Sequence, residues 1–267
     1  MANLEICRGG GSVKTFALHL LLITLATIFL APILWLIITA CGAGSDDFSQ
    51  LLHGQPIFCW LLNSIFLASA QTVLVVIFSS MAGFALAKYR FFGKRPLVLV
   101  MLVTMLLPPQ VLLPGIYELI FHLGWINSYW AIVLPGAVSV FGAFLFRQAM
   151  LDVPDELLQC ARLDGCGELR LWWEISLPLV RPMVGAFTLL SFLGAWNSFL
   201  WPQIVLQDEN KFPLTVALNN LSGQSVYQQH PAVLMLATLV GILPVVVLFF
   251  ALQKDFIGSL KAGAIKG

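Results

Sequence analysis

Apolar residues in this chain neither alternate nor keep to a single helical stripe; they run in long blocks between widely spaced charges. Dividing the sequence at every Asp, Glu, Lys and Arg leaves six long uncharged stretches: 15–45, 48–87, 97–117, 119–146, 182–207 and 212–253. A helix needs about 20 predominantly apolar residues to cross the hydrocarbon core of a bilayer. Each stretch holds one such segment, which predicts spanning helices near 16–40, 61–86, 97–117, 129–146, 183–206 and 232–252. Barrel strands do not fit, because they alternate in polarity over about 10 residues and these blocks are continuous.

Composition agrees with that reading. Hydrophobic residues make up 59% of the chain and charged residues 10%, with a mean hydropathy of +0.91. A soluble domain carries about 25% charged residues, so this chain cannot cover itself with a water-facing surface. The fold class is all-α integral membrane, expected as a single transmembrane domain over 1–267 with a core of about 60–260. A net charge of +1 gives no basic face for nucleic acid.

Placement of Lys and Arg sets the orientation. Arg8 and Lys14 precede the first block, and Lys88, Arg90, Lys94 and Arg95 lie in the second connection. Arg147, Arg162, Arg170 and Arg181 occupy the fourth connection, and Lys254, Lys261 and Lys266 the C-terminal tail. The opposite loops hold Lys211 beside Asp46, Asp47, Glu118, Asp208 and Glu209. By the positive-inside rule both termini are cytoplasmic. The first block is too long for a cleavable signal peptide and reads as a retained helix. Cys41 and Cys59 flank the first outer loop, either as a disulfide or as two unpaired small residues at helix ends.

The fourth connection, 147–182, has a pattern of its own. Asp152 is placed to cap a helix whose first turn holds Pro154, Asp155 and Glu156, residue types that suit a helix N-terminus. Leu157, Leu158 and Ala161 would share one face, with Gln159 and Arg162 away from it. Gly165, after Asp164, would end the helix at positive φ. A second amphipathic stretch, about 167–175, carries Leu169, Trp172 and Trp173 before Pro178 and Pro182 stop it. Two readings fit a short helix tethered at both ends beneath a bilayer. It can pass a push from a cytoplasmic partner to the bundle, or it can rest on lipid headgroups.

The residues of this loop are similar to a known signature. Gln159-Cys160-Ala161-Arg162-Leu163-Asp164-Gly165-Cys166, then Leu177-Pro178 and Pro182, resembles the E-A-A-x-x-D-G-A loop and L-P-x-x-x-P tail of ABC-importer permeases. Pro154-Asp155-Glu156-Leu157, Phe144-Leu145-Phe146-Arg147-Gln148, the Trp196–Pro202 run and the ending Gly263-Ala264-Ile265-Lys266-Gly267 resemble the carbohydrate-uptake branch, maltose-type second permeases in particular. Similarity covers roughly 60–267.

This resemblance implies six transmembrane helices with a cytoplasmic coupling helix between helices 4 and 5, in a bacterial cell membrane. It implies a homologous permease subunit as partner, two ATPase subunits, and an extracytoplasmic solute-binding protein, all among membrane lipid. ATP and Mg would be bound by the partner ATPases, and this chain would bind no cofactor and be no enzyme. Glu156, Gln159, Cys160, Ala161, Asp164 and Gly165 would form the ATPase-coupling element, and Lys261, Lys266 and Gly267 a tail contact to the ATPase. Gln159 stands where the family has Glu, and Cys160 where it has Ala. The loss of that carboxylate leaves at best a neutral hydrogen bond, about half as strong as a charged one, so Glu156 or Asp164 would carry the charged contact.

Polar residues inside the blocks are the remaining candidates. Pro108, Pro109 and Pro114 around Gln110 predict a kinked third helix, either facing a translocation path or packed as a structural kink. Glu118, at the outer end, reads as an interfacial charge. Trp196, Asn197 and Ser198 supply the aromatic, amide and hydroxyl groups that bind sugars, and equally serve interhelical hydrogen bonds or an interfacial aromatic belt. Ser64 with Ala68, and Ser79 with Gly83, place small residues four apart, suited to close helix packing.

No phosphate-binding glycine loop appears, and His19, His53, His122 and His230 show no ligand spacing. The leading function, as the resemblance implies, is uptake of a carbohydrate or polyol by alternating access. An importer for another solute, such as a polyamine or osmolyte, shares the same loop. A stand-alone channel or carrier would be expected to show ionisable residues mid-span or an inverted repeat, and neither is evident.

Overall fold

A computed structural model describes residues 9–42, 56–224 and 231–264, with side chains at the same positions except 9–14, 17, 231 and 254–264. Every regular element among them is helical. In chain order these are α1 (Gly9–Cys41), α2 (Ile57–Lys88), α3 (Lys94–Thr104), α4 (Leu113–His122), α5 (Trp130–Gly136) and α6 (Val140–Leu151). They continue with α7 (Asp155–Leu163), α8 (Glu168–Leu179), α9 (Arg181–Trp196), α10 (Leu200–Val205), α11 (Leu214–Ser222) and α12 (Pro231–Ala264).

Among the described residues four segments are long and apolar enough to cross a bilayer: Leu18–Cys41, Ile57–Lys88, Trp130–Leu151 and Ala232–Gln253. Two further candidates are bent pairs, α3 with Pro109–His122 at 100° and α8 with α9 at 88°. The third block is therefore broken rather than kinked. Pro108 and Pro109 lack backbone donors and push the residue before each into extended conformation; Pro108 sits at ψ 129°. The fifth block is interrupted too. The 16 residues of α9 span about 24 Å at 1.5 Å per residue, short of the roughly 30 Å hydrocarbon core, and α10 follows after a break.

The chain divides into two compact units, Met1–Gln55 with Ser222–Val240, and Pro56–Leu221 with Gly241–Gly267. In the first, α1 exposes apolar side chains almost throughout Phe16–Ile38, a surface suited to lipid or protein but not to water. Its threonines are satisfied within the helix, Thr24, Thr27 and Thr39 each donating to the carbonyl four residues back at 2.8, 2.8 and 2.9 Å.

In the second unit α2 is the central post, with α6 and α9 packed along it. Small residues permit the approach. A Cβ on Gly83 would lie 2.5 Å from Phe146 Cβ and 2.7 Å from the Arg147 amide nitrogen, and one on Gly142 would lie 2.6 Å from Ser79 Oγ. Ser64 Oγ accepts from the Leu214 amide at 2.7 Å. Phe146 and Phe187 meet edge to face at 5.4 Å beside Val75. At one end of α2, Asn63 Nδ2 donates to the carbonyls of Asn210 and Phe212, while its Oδ1 accepts from Tyr129 Oη at 2.9 Å. The other end carries Lys88 and leads to α7. Cys41, Cys59, Cys160 and Cys166 are free thiols.

Candidate functional site

The α7 helix lies between α6 and α8, and its local chemistry explains both ends. Pro154 occupies the N-cap with extended backbone (φ −61°, ψ 132°). Asp152, expected there, instead takes the C-cap of α6 at φ −78°, ψ −13°. Asp155 and Glu156 fill the first turn and Arg162 the last, which complements the helix dipole. At the far end Gly165 takes φ +84°. The Gly165 amide donates to Arg162 O and the Cys166 amide to Ala161 O, each at 3.0 Å. This pair of bonds is a Schellman motif, which satisfies carbonyls the helix leaves open. No neighbour lies within 4 Å of a Cβ built on Gly165, so its backbone angle alone demands glycine.

Leu158 and Ala161 bury one face of α7 in a cluster with Phe84, Met150, Val153, Leu171, Trp172 and Val180. Leu157 does not join them; it is 47% exposed. The geometry of 3.6 residues per turn puts Leu158 and Ala161 on the stripe facing α2, α6 and α8, and sets Leu157 at its edge, about 100° round from Leu158. The opposite stripe presents Glu156, Gln159, Cys160 and Leu163 at i, i+3, i+4 and i+7, all exposed. Leu163 is 88% exposed, and Asp164 beside it is exposed too. In the next helix Trp172 is buried in the same cluster, whereas Leu169 and Trp173 face outward.

Polar contacts hold both ends of α7 to the end of α2. The Lys88 ammonium, whose side chain is 6% exposed, donates to the Val153 carbonyl and to Asp155 Oδ1 at 2.6 Å. That hydrogen bond and the ammonium charge hold the Asp155 carboxyl below its ordinary range. The Arg162 guanidinium donates from Nε and Nη2 to the two carboxylate oxygens of Glu168 at 3.0 and 3.2 Å. Tyr89 Oη also donates to Glu168. The Arg162 hydrogen bond, with that of Tyr89, holds Glu168 below its ordinary value, while burial and the adjoining carboxylate raise the Tyr89 phenol.

Elsewhere the sequence candidates divide. Gln110 is exposed, in the 3-10 turn Pro109–Leu112 between the halves of the broken third block. Trp196 is enclosed: it is 6% exposed and stacks on Phe192 at 5.6 Å and 19°, beside Ala68. Asn197 is exposed and ends α9, its Nδ2 donating to Leu193 O at 2.9 Å. The Ser198 carbonyl accepts from Thr215 Oγ1 at 3.0 Å. Trp201 Nε1 donates to Ala131 O at 2.8 Å, so both tryptophans of the run serve the subunit's own packing. Lys261 falls within α12 with no side chain described, and Lys266 and Gly267 lie outside the described residues. No group of His, Cys, Asp or Glu suited to a metal occurs among the described residues.

Residues 76–257 match the binding-protein-dependent transport system inner membrane component family. The chain is a member of that family. It is similar to the arabinooligosaccharides transport system permease protein AraQ of Bacillus subtilis (strain 168), 35% identical over 96% of this chain and 97% of that one. It is 30% identical to the maltodextrin transport system permease protein MdxG of the same strain, over 83% of this chain and 80% of the relative. Its fold resembles a solved chain of a bacterial ABC transporter involved in import of the acidic polysaccharide alginate. There the TM-score is 0.81, with 22% identity, covering 92% of this chain and 97% of the other. The protein is thus a multi-pass membrane permease subunit of the ABC-importer type.

Several residues of this permease's site were not evident in the sequence. Lys88 and Tyr89 are 67 and 79 positions from Asp155 and Glu168, and no spacing rule links residues so far apart. Leu163 could have been found, since a leucine on the helix face opposite Leu158 and Ala161 has no place in the core. A cleft of about 560 Å³ opens between α2, α8 and α9, lined by Thr72, Val76, Trp172, Arg181 and Thr188 among others. Thr72 Oγ1 and Trp172 Nε1 are buried there without a hydrogen-bond partner among the described residues.

Proposed function

We propose that the chain is one of two homologous permease subunits of an ATP-driven importer for a carbohydrate or polyol-type solute. The observation that carries the reading is α7, whose buried face is fastened to the bundle and whose opposite face offers a compact stripe to a cytoplasmic partner. Two ATPase subunits bind ATP and Mg, and this chain hydrolyses nothing itself. Both termini face the cytoplasm. An extracytoplasmic binding protein delivers the solute, and the whole chain works as a single permease domain, with 147–182 as its coupling loop.

In this mechanism closure of the ATPases moves α7, and the bundle switches between inward- and outward-facing states. Glu156, Gln159 and Cys160 touch the ATPase, with Leu163 as an apolar knob and Asp164 at the rim. Ala161 and Gly165 shape and seat the helix. Glu156 supplies charge that Gln159 lacks. Lys261, Lys266 and Gly267 add a tail contact. Gln110, Asn197 and Ser198, at the two breaks, border the path, since irregular backbone at membrane depth is tolerated against protein or a water-filled cavity; Trp196 braces that border from within.

Sugar as cargo draws support from the permease relatives, named for arabinooligosaccharide and maltodextrin transport. The test is affinity purification in mild detergent from the native membrane, followed by reconstitution. Recovery of an ATPase, a second permease and a binding protein, with ATP-dependent uptake of a labelled oligosaccharide, is the expected result. A chain that purifies alone and passes solute without ATP would overturn it.

A further inference from the structure

We infer that the coupling helix drives α2 directly, through a two-point grip by Lys88 and Tyr89, rather than working only through the spans joined to it in sequence. This rests on the permease reading above. The two grip residues are adjacent in the chain and close the last turn of α2, yet they reach opposite ends of α7. Lys88 takes the N-terminal end, through Val153 O and Asp155. Tyr89 takes the C-terminal end, through Glu168, which in turn clasps Arg162 in the last turn of α7.

Between those points Phe84 of α2 packs in the cluster that holds Leu158 and Ala161. A helix fastened at one point can pivot, whereas one fastened at both ends and seated along its middle moves as a body with its anchor. The Lys88 ammonium is nearly enclosed, so letting go of Asp155 would leave a poorly solvated charge, which resists slippage. The Glu168 carboxylate accepts from a two-pronged guanidinium, a geometry that fixes orientation as well as distance. Because α2 is the post on which α6 and α9 pack, a displacement delivered there reaches the centre of the unit. Lys88, Tyr89, Arg162 and Glu168 are accordingly positioning residues for coupling.

The test uses the complete reconstituted complex with a fluorescent non-canonical amino acid in place of Leu62, an exposed site near the far end of α2. ATP with Mg is the sole probe, so no solute need be known. ATP should shift the emission in the parent. Lys88→Met with Tyr89→Phe should cut that shift by about fivefold or more, the lower range of measured allosteric couplings, while ATP hydrolysis continues. Arg162→Glu alone should cut it as well with hydrolysis retained, and adding Glu168→Arg should restore it, the Tyr89 hydroxyl then accepting from the introduced guanidinium. A full shift in the Lys88→Met, Tyr89→Phe complex overturns the grip. So does loss of shift together with hydrolysis that the charge exchange fails to rescue. A parent complex that contains no ATPase defeats the permease reading itself.

Discussion

Two stretches whose residues resemble importer signatures are turned in opposite directions. In the 155–166 loop, the stripe Glu156, Gln159, Cys160 and Leu163 faces out and Leu158 and Ala161 face the core. In the 196–202 run, Trp196, Pro202 and the Trp201 indole N–H are taken up by the subunit itself, and Asn197 is left outside. Resemblance to the family therefore goes with an open helix face in one case and with a brace in the other. Side-chain size contributes to the difference: a tryptophan buries 150–250 Å² and dominates whichever core it enters, whereas a short charged helix has little apolar area to hide.

Substitutions sharpen that contrast. The largest effect should come from Trp196→Ala, which empties a packed site and should cost about 3–5 kcal/mol. A fall in the thermal unfolding midpoint of the complex, with solute preference unchanged in whatever survives, is expected. An unchanged midpoint with altered preference would make Trp196 a binding residue after all. Next is Gly165→Pro. Proline cannot adopt φ +84° and removes the amide that bonds Arg162 O, so transport per ATP should fall about tenfold with the subunit still in the membrane. Full transport in that variant would end the coupling role of α7.

Smaller effects should mark the exposed stripe. Leu163→Ser should leave stability within about 0.5 kcal/mol, as for surface sites generally, but weaken ATPase retention during purification. If retention is unaffected, the stripe is not the docking face. The smallest effect concerns pH. Lys88 lowers the folded-state pKa of Asp155, so this pair's contribution is fully present above the unfolded carboxylate value of about 4 and is lost as pH falls through the folded value. Limited proteolysis of the 147–182 loop should therefore be flat from neutral pH to about 5. A rise in cleavage within that window would show that Asp155 does not hold the helix.

The α7 helix was legible because its determinants are local: acidic residues at its start, Arg162 at its end, and a Gly165 that a Schellman motif requires. The face Leu157 takes was misjudged, since three apolar residues within five positions fit a stripe centred on either side. Pro108 and Pro109 announced an interruption, but its 100° size depends on how the two halves pack. Nothing in the sequence paired Lys88 with Asp155 or Tyr89 with Glu168, because those contacts join segments brought together by the packing of α2 against α6.

By itself, then, the sequence determined the solvent, the helical class and the short capped helix of the 147–182 connection. These rest on properties summed along contiguous residues: uncharged length and capping chemistry. Tertiary structure alone decided which tryptophans are enclosed, which face of α7 is free, and that one helix end holds α7 at two points. Those are matters of distance between remote segments, and periodicity carries no information about them.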